Sequence, residues 1–305
     1  MVQIPGELLA LLTMLSFCLM NIAVRKAEQH VRPLEGAFLS QVSNTAMYLL
    51  MAPFILSRGG LPPLAAEGVG FFLLAGFTSN FLGLTGSFMA TSLIGPSRTS
   101  AVRATQPVYA LFLAYIFLRE LPVSMELLGV AMVAGGMVIL ALDKARGPLP
   151  MSLAPTLGAI SPAVLGMSMA TVAAVAHATG GTLRKAGMFA IPHAYIGAFI
   201  GTAAAVLIFL VLFGLRRQLG GIFRLPAKGI GYSFLAGIFN GLALLALFSA
   251  LSRSPVAVVL ALTGIQPLFT IPLAYAFFGR SEALSLRLIG SVLLVVAGGT
   301  LLFVF

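Results

Sequence analysis

Residues 105–115 read TQPVYALFLAY, and residues 265–275 read IQPLFTIPLAY. Each segment has a Gln-Pro pair at its second and third positions and closes with Ala-Tyr, and Gln106 and Gln266 lie 160 positions apart. Both segments stand inside long apolar runs. Self-similarity at a fixed spacing is the signature of a structural unit that occurs more than once in the chain.

Three further matches follow the same order at nearly the same spacing. The first match pairs Arg25-Lys26-Ala27 with Arg184-Lys185-Ala186. The second pairs Gly68, Gly70 and Leu74-Ala75-Gly76 with Gly229, Gly231 and Leu235-Ala236-Gly237. The third pairs Val133-Ala134-Gly135-Gly136 with Val296-Ala297-Gly298-Gly299. The offsets run from 159 to 163 residues. The sequence therefore indicates an internal duplication.

The composition places this duplicated unit in a membrane. Of the 305 residues, 59% are hydrophobic and 9% are charged, whereas a soluble domain carries about 25% charged residues. The net charge of +10 comes from basic residues that stand singly or in short groups between apolar runs. Such charges orient helices and contact anionic membrane lipids, so we predict no nucleic-acid partner. The single cysteine, Cys18, lies within an apolar run and is interpreted as a small buried residue.

Ten apolar runs are long enough to cross a bilayer, which takes about 20 residues. They lie at 7–24, 36–56, 68–92, 96–118, 124–142, 161–183, 193–214, 229–251, 255–278 and 285–304. A polar, proline-containing segment at 143–160 separates a first repeat at 1–142 from a second at 161–305. Because five is odd, the second repeat enters the membrane from the opposite side. We predict an all-α integral membrane protein of ten transmembrane helices arranged as two inverted five-helix repeats.

Inverted repeats of this kind are typical of secondary transporters, whose substrate site lies near the midplane between the repeats. The sequence has no phosphate-binding P-loop, no midplane acidic pair and no HExxH zinc motif. We therefore predict no metal, no cofactor and no enzymatic activity. Two conformations related by exchange of the halves would give alternating access to the site.

The two five-helix halves, the Gln-Pro pairs of spans 4 and 9 and the Gly-rich spans 5 and 10 resemble the EamA-type ten-helix members of the drug/metabolite transporter superfamily. The resemblance implies a central cavity lined by spans 1, 3, 4, 6, 8 and 9, with spans 5 and 10 outside it. It also implies transport of amino acids, nucleotide sugars, other metabolites or drugs. The sequence departs from the family at Arg119-Glu120 and Gly279-Arg280, where members often carry Gly-Glu. Glu7 stands at the edge of span 1, so the embedded proton-coupling glutamate of small four-helix relatives has no counterpart here.

Arg103 is the leading candidate for a substrate-binding residue. It lies about eight residues into span 4, where an arginine costs at least ~2.5–3.5 kcal/mol on insertion scales. Thr99, Arg103 and Gln106 fall at i, i+4 and i+7, so we expect them to share one helix face. Pro107 cannot donate to the carbonyl of Arg103, and we expect it to kink the helix there. We expect Arg103 to bind a carboxylate or phosphate; the alternative is a structural pairing with backbone carbonyls or with the nearer interface.

The remaining candidates lie on the spans that the resemblance places around the cavity. Thr263 and Gln266 offer neutral hydrogen bonds in span 9, and His177 in span 6 could bind substrate, relay protons or simply donate to a carbonyl. Further polar candidates are Asn21, Ser79, Asn80 and Asn240, for which helix-to-helix hydrogen bonding is the alternative. We interpret Pro107 and Pro267 as helix-bending devices for gating.

The sequence thus predicts a secondary transporter of a small metabolite, an amino acid or related organic anion, that works by export or exchange. The alternatives are a flippase for a lipid-linked substrate with the same fold, and a non-transporting membrane enzyme or scaffold. We expect a multi-pass protein of a prokaryotic inner membrane that is a monomer or a homodimer through its peripheral helices. Basic residues favour termini outside the cytosol, whereas the resemblance implies termini inside.

Overall fold

The computed structural model describes residues 5–59, 63–106, 108–109, 112–113, 124–141, 161–222, 224–251, 263–279 and 285–304. These residues form helices and connecting turns, without a β-strand in the ranges just given. The helices are α1 (Gly6–Ala27), α2 (Pro33–Gly59), α3 (Ala66–Ala75), α4 (Leu84–Arg103), α5 (Ser124–Ala141), α6 (Pro162–Ala190), α7 (Ala194–Leu215), α8 (Leu219–Ile222), α9 (Ala227–Leu251), α10 (Gln266–Phe278) and α11 (Leu286–Val304). A π-helical segment, Gly76–Gly83, joins α3 to α4 without a break.

The helices agree with the predicted spans. Five segments are long and apolar enough to cross a membrane: Gly6–Ala27, Ala66–Arg103, Pro162–Ala190, Ala194–Leu215 and Ala227–Ala250. Within the second of these, Gly95 adopts φ 82° and ψ 163°, and Pro96 follows it. Because glycine tolerates positive φ and proline disrupts a continuing helix, the helix is interrupted at Gly95 and Pro96. This break divides predicted span 3 from predicted span 4. The all-α membrane architecture is confirmed.

Each major helix contact between the two halves has a counterpart formed by the corresponding helices with the halves exchanged. The most extensive contact of α1 is with α9, and α6 makes the corresponding contact with α3, the π-helical segment and α4. Likewise α2 packs on α9, while α7 packs on α3 and the π-helical segment. Exchanging the first half for the second turns each contact into its partner, as an inverted repeat requires.

Helices α5 and α11 pack mainly on each other. Gly136 lies against Val295 and the carbonyl of Ser291, and Gly298 lies against the carbonyl of Gly129. The Gly-rich segments of spans 5 and 10 therefore serve close approach of these two helices. Such small-residue contacts are the usual means of helix association in lipid.

Helix α6 runs antiparallel along α3, the π-helical segment and α4 through glycines. A methyl group on Gly187 would lie 2.6 Å from the Phe72 ring, and one on Gly180 would overlap Ser79. A methyl group on Gly86 would lie 3.0 Å from the carbonyl of Met169. The absence of side chains at these glycines lets the backbones approach closely, which fixes the height of α6 beside the π-helical segment.

Two arginines near the predicted ends of spans, Arg184 and Arg98, lie within helices. Helix α6 extends to Ala190, seven residues beyond the predicted end at 183, so Arg184 is part of the helix and partly buried. Arg98 lies in α4, three residues after Gly95, and is 5% exposed. The apolar-run criterion ended span 6 too early because it treated the first basic pair as the boundary. Neither residue belongs in a count of loop charge.

Candidate functional site

The π-helical segment Gly76–Gly83 carries two of the predicted site residues, Ser79 and Asn80. Both are buried, with exposures of 1% and 4%. A π-helical turn shifts the backbone hydrogen-bond register, and such turns often occur at functional sites. The backbone carbonyl of Asn80 accepts a hydrogen bond from Gln41 Nε2 on α2 at 2.8 Å. The segment is thus held from the side by a buried amide.

Arg184 reaches the same segment from α6. Its Nη2 donates to Ser79 Oγ at 2.8 Å and to Asn80 Oδ1 at 2.6 Å. Hydrogen bonds from a charged donor are shorter and stronger than neutral ones. Arg184 therefore joins α6 to the π-helical segment.

His177 is connected to the same hydrogen bonds. Its Nδ1 lies 2.9 Å from Ser79 Oγ and its Nε2 lies 3.4 Å from Ser87 Oγ. The Ser87 hydroxyl donates to the carbonyl of Gly83 at 2.9 Å, so its oxygen accepts from Nε2–H. Because Arg184 donates to Ser79, the Ser79 hydroxyl hydrogen is available for Nδ1. These donors and acceptors fit a neutral imidazole with the proton on Nε2, which makes His177 a link between α6, the π-helical segment and α4.

Arg103, the leading candidate, is the last residue of α4 and is 8% exposed. Its guanidinium carbon lies 5.6 Å from the centre of the Phe17 ring on α1, a cation–π contact. Its Nε and Nη1 have no hydrogen-bond partner among the described residues. A buried cation with unpaired donors is costly.

Gln266 contacts α1 one position along from the residue that Arg103 contacts. The Cys18 thiol donates to the Gln266 carbonyl at 3.6 Å, and the Thr270 hydroxyl donates to Cys18 Sγ at 3.4 Å. The side chain of Gln266 is 8% exposed, and its Nε2 has no partner in the described part of the chain. Cys18, interpreted from sequence as a small buried residue, is 1% exposed and fixes α10 against α1.

Asn21 completes this group on α1. At 100° per residue, Asn21 projects between Phe17, which contacts Arg103, and Cys18, which contacts Gln266. It is 2% exposed, and its Nδ2 has no partner among the residues described. Asn21, Arg103 and Gln266 therefore surround one face of α1. Their unpaired atoms are all N–H donors, which is the pattern that an anion requires.

The two Gln-Pro pairs both follow helix breaks. Helix α4 ends at Arg103, and the Thr105 amide bonds the Val102 carbonyl in a tighter turn, so Gln106 does not continue the helical face of Thr99 and Arg103. In the second half a turn at Ile265 precedes Gln266 at the start of α10. The expected uninterrupted face of span 4 is therefore absent, because the chain turns before the Gln-Pro pair.

The other predicted residues are placed as follows. Thr99 is fully buried, and its hydroxyl donates to the Gly95 carbonyl at 2.8 Å. This bond satisfies the carbonyl at the helix break before Pro96. Thr263 and Gln106 are partly buried. Asn240 is buried on α9, and Pro267 is buried in the first turn of α10. Pro107 lies outside the described residues.

Sequence reasoning missed Arg184, Gln41, Ser87 and Phe17. A signal for Gln41 was present, because residues 40–45 read SQVSNT in the middle of an apolar run. Ser40, Gln41 and Asn44 are all buried, and Asn44 lies against Gly241 of α9. Polar residues at membrane depth are costly enough to mark functional or packing roles. Arg184 carried the signal of a repeated Arg-Lys-Ala motif, which was interpreted only as a boundary.

Comparison with known proteins agrees with this architecture. The model of the EamA-like transporter family matches residues 4–142 and 164–304. A solved structure titled "Crystal structure of protein" resembles the chain with a TM-score of 0.61 at 16% identity, covering 97% of this chain and 95% of that one; at this identity the likeness shows the fold alone. No curated protein matches. With both halves matched by the family model, this chain belongs to the EamA-like transporter family.

Proposed function

We propose that the chain is a secondary transporter that binds a small organic anion at Arg103 and moves it by alternating access. The solute is an amino acid or a related organic anion held through its carboxylate, and transport is by export or exchange across a prokaryotic inner membrane. The observation that carries the proposal is the set of unpaired buried donors on Arg103, Gln266 and Asn21 around one face of α1.

The charge of the site supports an anionic ligand. The eight acidic residues of the chain are Glu7, Glu28, Glu35, Glu67, Glu120, Glu126, Asp143 and Glu282, and each lies at or near an end of a predicted span. The predicted spans therefore place no carboxylate at the depth of Arg103. A substrate carboxylate would pair with the guanidinium through charge-assisted hydrogen bonds, while the amides of Gln266 and Asn21 would donate to further oxygens.

The position of the site supports transport. Arg103 ends a helix of the first half, Gln266 begins a helix of the second half, and these two helices contact α1 and each other. Broken helices that meet at the interface of inverted repeats form the midplane sites of secondary transporters. A movement of one half against the other would therefore expose the same donors first on one side of the membrane and then on the other.

Counterflow in proteoliposomes tests the transport proposal. Candidate solutes are first chosen by thermal-shift screening of a panel that contains monocarboxylates, dicarboxylates, phosphate esters and amino acids. Labelled hits are then offered outside vesicles preloaded with the unlabelled compound. Transient accumulation is expected for a transporter, since unlabelled solute leaving the vesicle drives exchange.

Two variants sharpen this measurement. Arg103→Gln is expected to abolish the thermal shift and the counterflow, and Arg103→Lys to retain part of both because the charge remains. Arg224→Gln, at an exposed position between α8 and α9, is the charge-matched control and should transport normally. Hits that are all cationic, or a wild-type protein that binds a hit without any counterflow, would contradict the proposal.

A further inference from the structure

The packed face of α6 carries three residues that retain exposed surface. His177, Gly181 and Arg184 stand at i, i+4 and i+7, so they share one face of the helix. Earlier on the same face, Ala170 and Ala173 are fully buried. His177 and Arg184 are nevertheless partly exposed, and Gly181 is exposed. Because this face is directed towards other helices, the exposed surface belongs to an opening between helices.

The opening lies beside Gly181. A methyl group on Gly181 would meet nothing within 4 Å, whereas a methyl group on the preceding Gly180 would overlap Ser79. Gly181 follows His177 by about one helical turn and precedes Arg184 by about one turn. The opening is thus bordered on α6 by an imidazole and by a guanidinium group.

The charge of Arg184 is not neutralised by an acidic residue of the helices around it. Its two hydrogen bonds, to Ser79 Oγ and Asn80 Oδ1, are both donated by Nη2 to neutral groups. Helices α3, α4 and α6 and the π-helical segment contain one acidic residue, Glu67 in the first turn of α3. A guanidinium has five N–H donors. Arg184 can therefore donate to an anion while it keeps its bonds to the π-helical segment.

His177 connects this opening with the anion site proposed at Arg103. The positive charges of Arg103 and Arg184 both act on the His177 ring. On one side the ring lies 2.9 Å from Ser79 Oγ, to which Arg184 donates. On the other side it lies 3.4 Å from Ser87 Oγ on α4, the helix that Arg103 ends. Two cations around one imidazole suit a ligand that carries two anionic groups.

We propose that Arg184 is a second anion-binding residue and that the solute is a dicarboxylate, a class that includes amino acids with an acidic side chain. One carboxylate pairs with Arg103, and the other enters the opening beside Gly181 and pairs with Arg184. The inference rests on the anion site proposed above at Arg103 and narrows its substrate class. The second carboxylate adds its own charge-assisted hydrogen bonds to those made at Arg103.

Equilibrium binding of matched ligand pairs tests this proposal. Each pair consists of a dicarboxylate (succinate, glutarate or adipate) and its monoamide, which keeps one carboxylate and loses the second charge. Wild type should bind at least one dicarboxylate about 10- to 100-fold more tightly than its monoamide. Arg184→Gln keeps an amide donor for the π-helical segment and should bind both members of that pair alike. Lys185→Gln removes the exposed cation one residue further along and should keep the wild-type preference.

Gly181→Leu tests the opening without removing a charge. Its side chain would enter space that is free of contacts, so the variant should melt no lower than wild type and yet lose its preference for the dicarboxylate. Arg103→Gln should weaken binding of both members of the pair, which tests the first anion site separately.

Three results would overturn the second site. The first is a wild type that binds none of the three dicarboxylates, or binds each no more tightly than its monoamide. The second is an undiminished preference in Arg184→Gln or in folded Gly181→Leu. The third is a loss of preference in Lys185→Gln equal to that in Arg184→Gln, because the effect would then follow net charge alone. Weakened binding in Arg103→Gln combined with an undiminished preference in Arg184→Gln would leave the Arg103 site standing and remove the second one.

Discussion

Replacing Ser79 with alanine is expected to destabilise the protein through two partners at once. Ser79 Oγ accepts from Arg184 at 2.8 Å and lies 2.9 Å from Nδ1 of His177. Because Ser79 is 1% exposed, water cannot replace the lost hydroxyl. An unsatisfied buried acceptor costs about 1–3 kcal/mol, and a bond to a charged donor contributes about 1.5–3 kcal/mol.

Arg184 keeps its 2.6 Å bond to Asn80 Oδ1 in this variant, so the second contribution is lost only in part. We expect a total loss of about 3 kcal/mol, which corresponds to a melting temperature lower by roughly 5 °C for a chain of this size. A thiol-reactive fluorogenic dye can follow unfolding, because the single cysteine, Cys18, is 1% exposed in the folded protein.

Ser57→Ala is the matched control for this prediction. The Ser57 hydroxyl is exposed and donates to the Phe54 carbonyl three residues away, so its removal should leave the melting temperature unchanged. If Ser79→Ala melted together with Ser57→Ala and wild type, the hydrogen-bonded link through His177 and Arg184 would not stabilise the fold, and the reasoning would be refuted.

Two further predictions concern packing and pH. Gly180→Ala should destabilise the protein, because its methyl group would overlap Ser79. In the control Gly181→Ala the new methyl group meets nothing within 4 Å, so this variant should be neutral or slightly stabilising. Equal melting temperatures of the two variants would contradict the packing of α6. Burial raises the pKa of Glu28, which follows α1, well above its ordinary value, and both its oxygens lack partners among the described residues. The folded state therefore binds more protons than the unfolded state, so stability should fall as pH rises above the ordinary carboxyl pKa. Melting between pH 5 and pH 8 should show this decline in wild type and less of it in Glu28→Gln; an identical slope in both would refute the assignment.

The fold was predictable from sequence because lipid imposes simple requirements. A segment of about 20 apolar residues is needed to cross the bilayer, and duplicated segments survive as readable matches. Gln106 and Gln266 therefore identified corresponding points in the two halves. Both points follow helix breaks in the structure, at Ala104–Thr105 and Ile265. The exact places of the breaks were not readable, since a turn before a proline depends on tertiary contacts as well as on the proline.

The site was only partly predictable. Arg103, His177 and Asn21 stood out because polar side chains are rare at membrane depth. Their grouping did not, since hydrogen bonds between α6 and the π-helical segment join residues about 100 positions apart. A helix that is apolar both towards lipid and towards its neighbours has no hydrophobic periodicity in its sequence. The sequence therefore does not indicate which of its residues contact another helix. Arg184 was misplaced for a related reason, because a charged residue resembles a loop boundary even when a helix buries it.

The role of Arg103 can be tested by measuring stability and transport on the same variant. If Arg103 holds substrate, its buried and unpaired charge costs stability in the absence of ligand, so Arg103→Gln should melt at the same temperature as wild type or higher. The same variant should lose affinity for the anionic solute by at least about 100-fold, since two charge-assisted hydrogen bonds contribute roughly 3–6 kcal/mol. Wild-type transport combined with a lower melting temperature would show that Arg103 is structural and would contradict the proposed anion site.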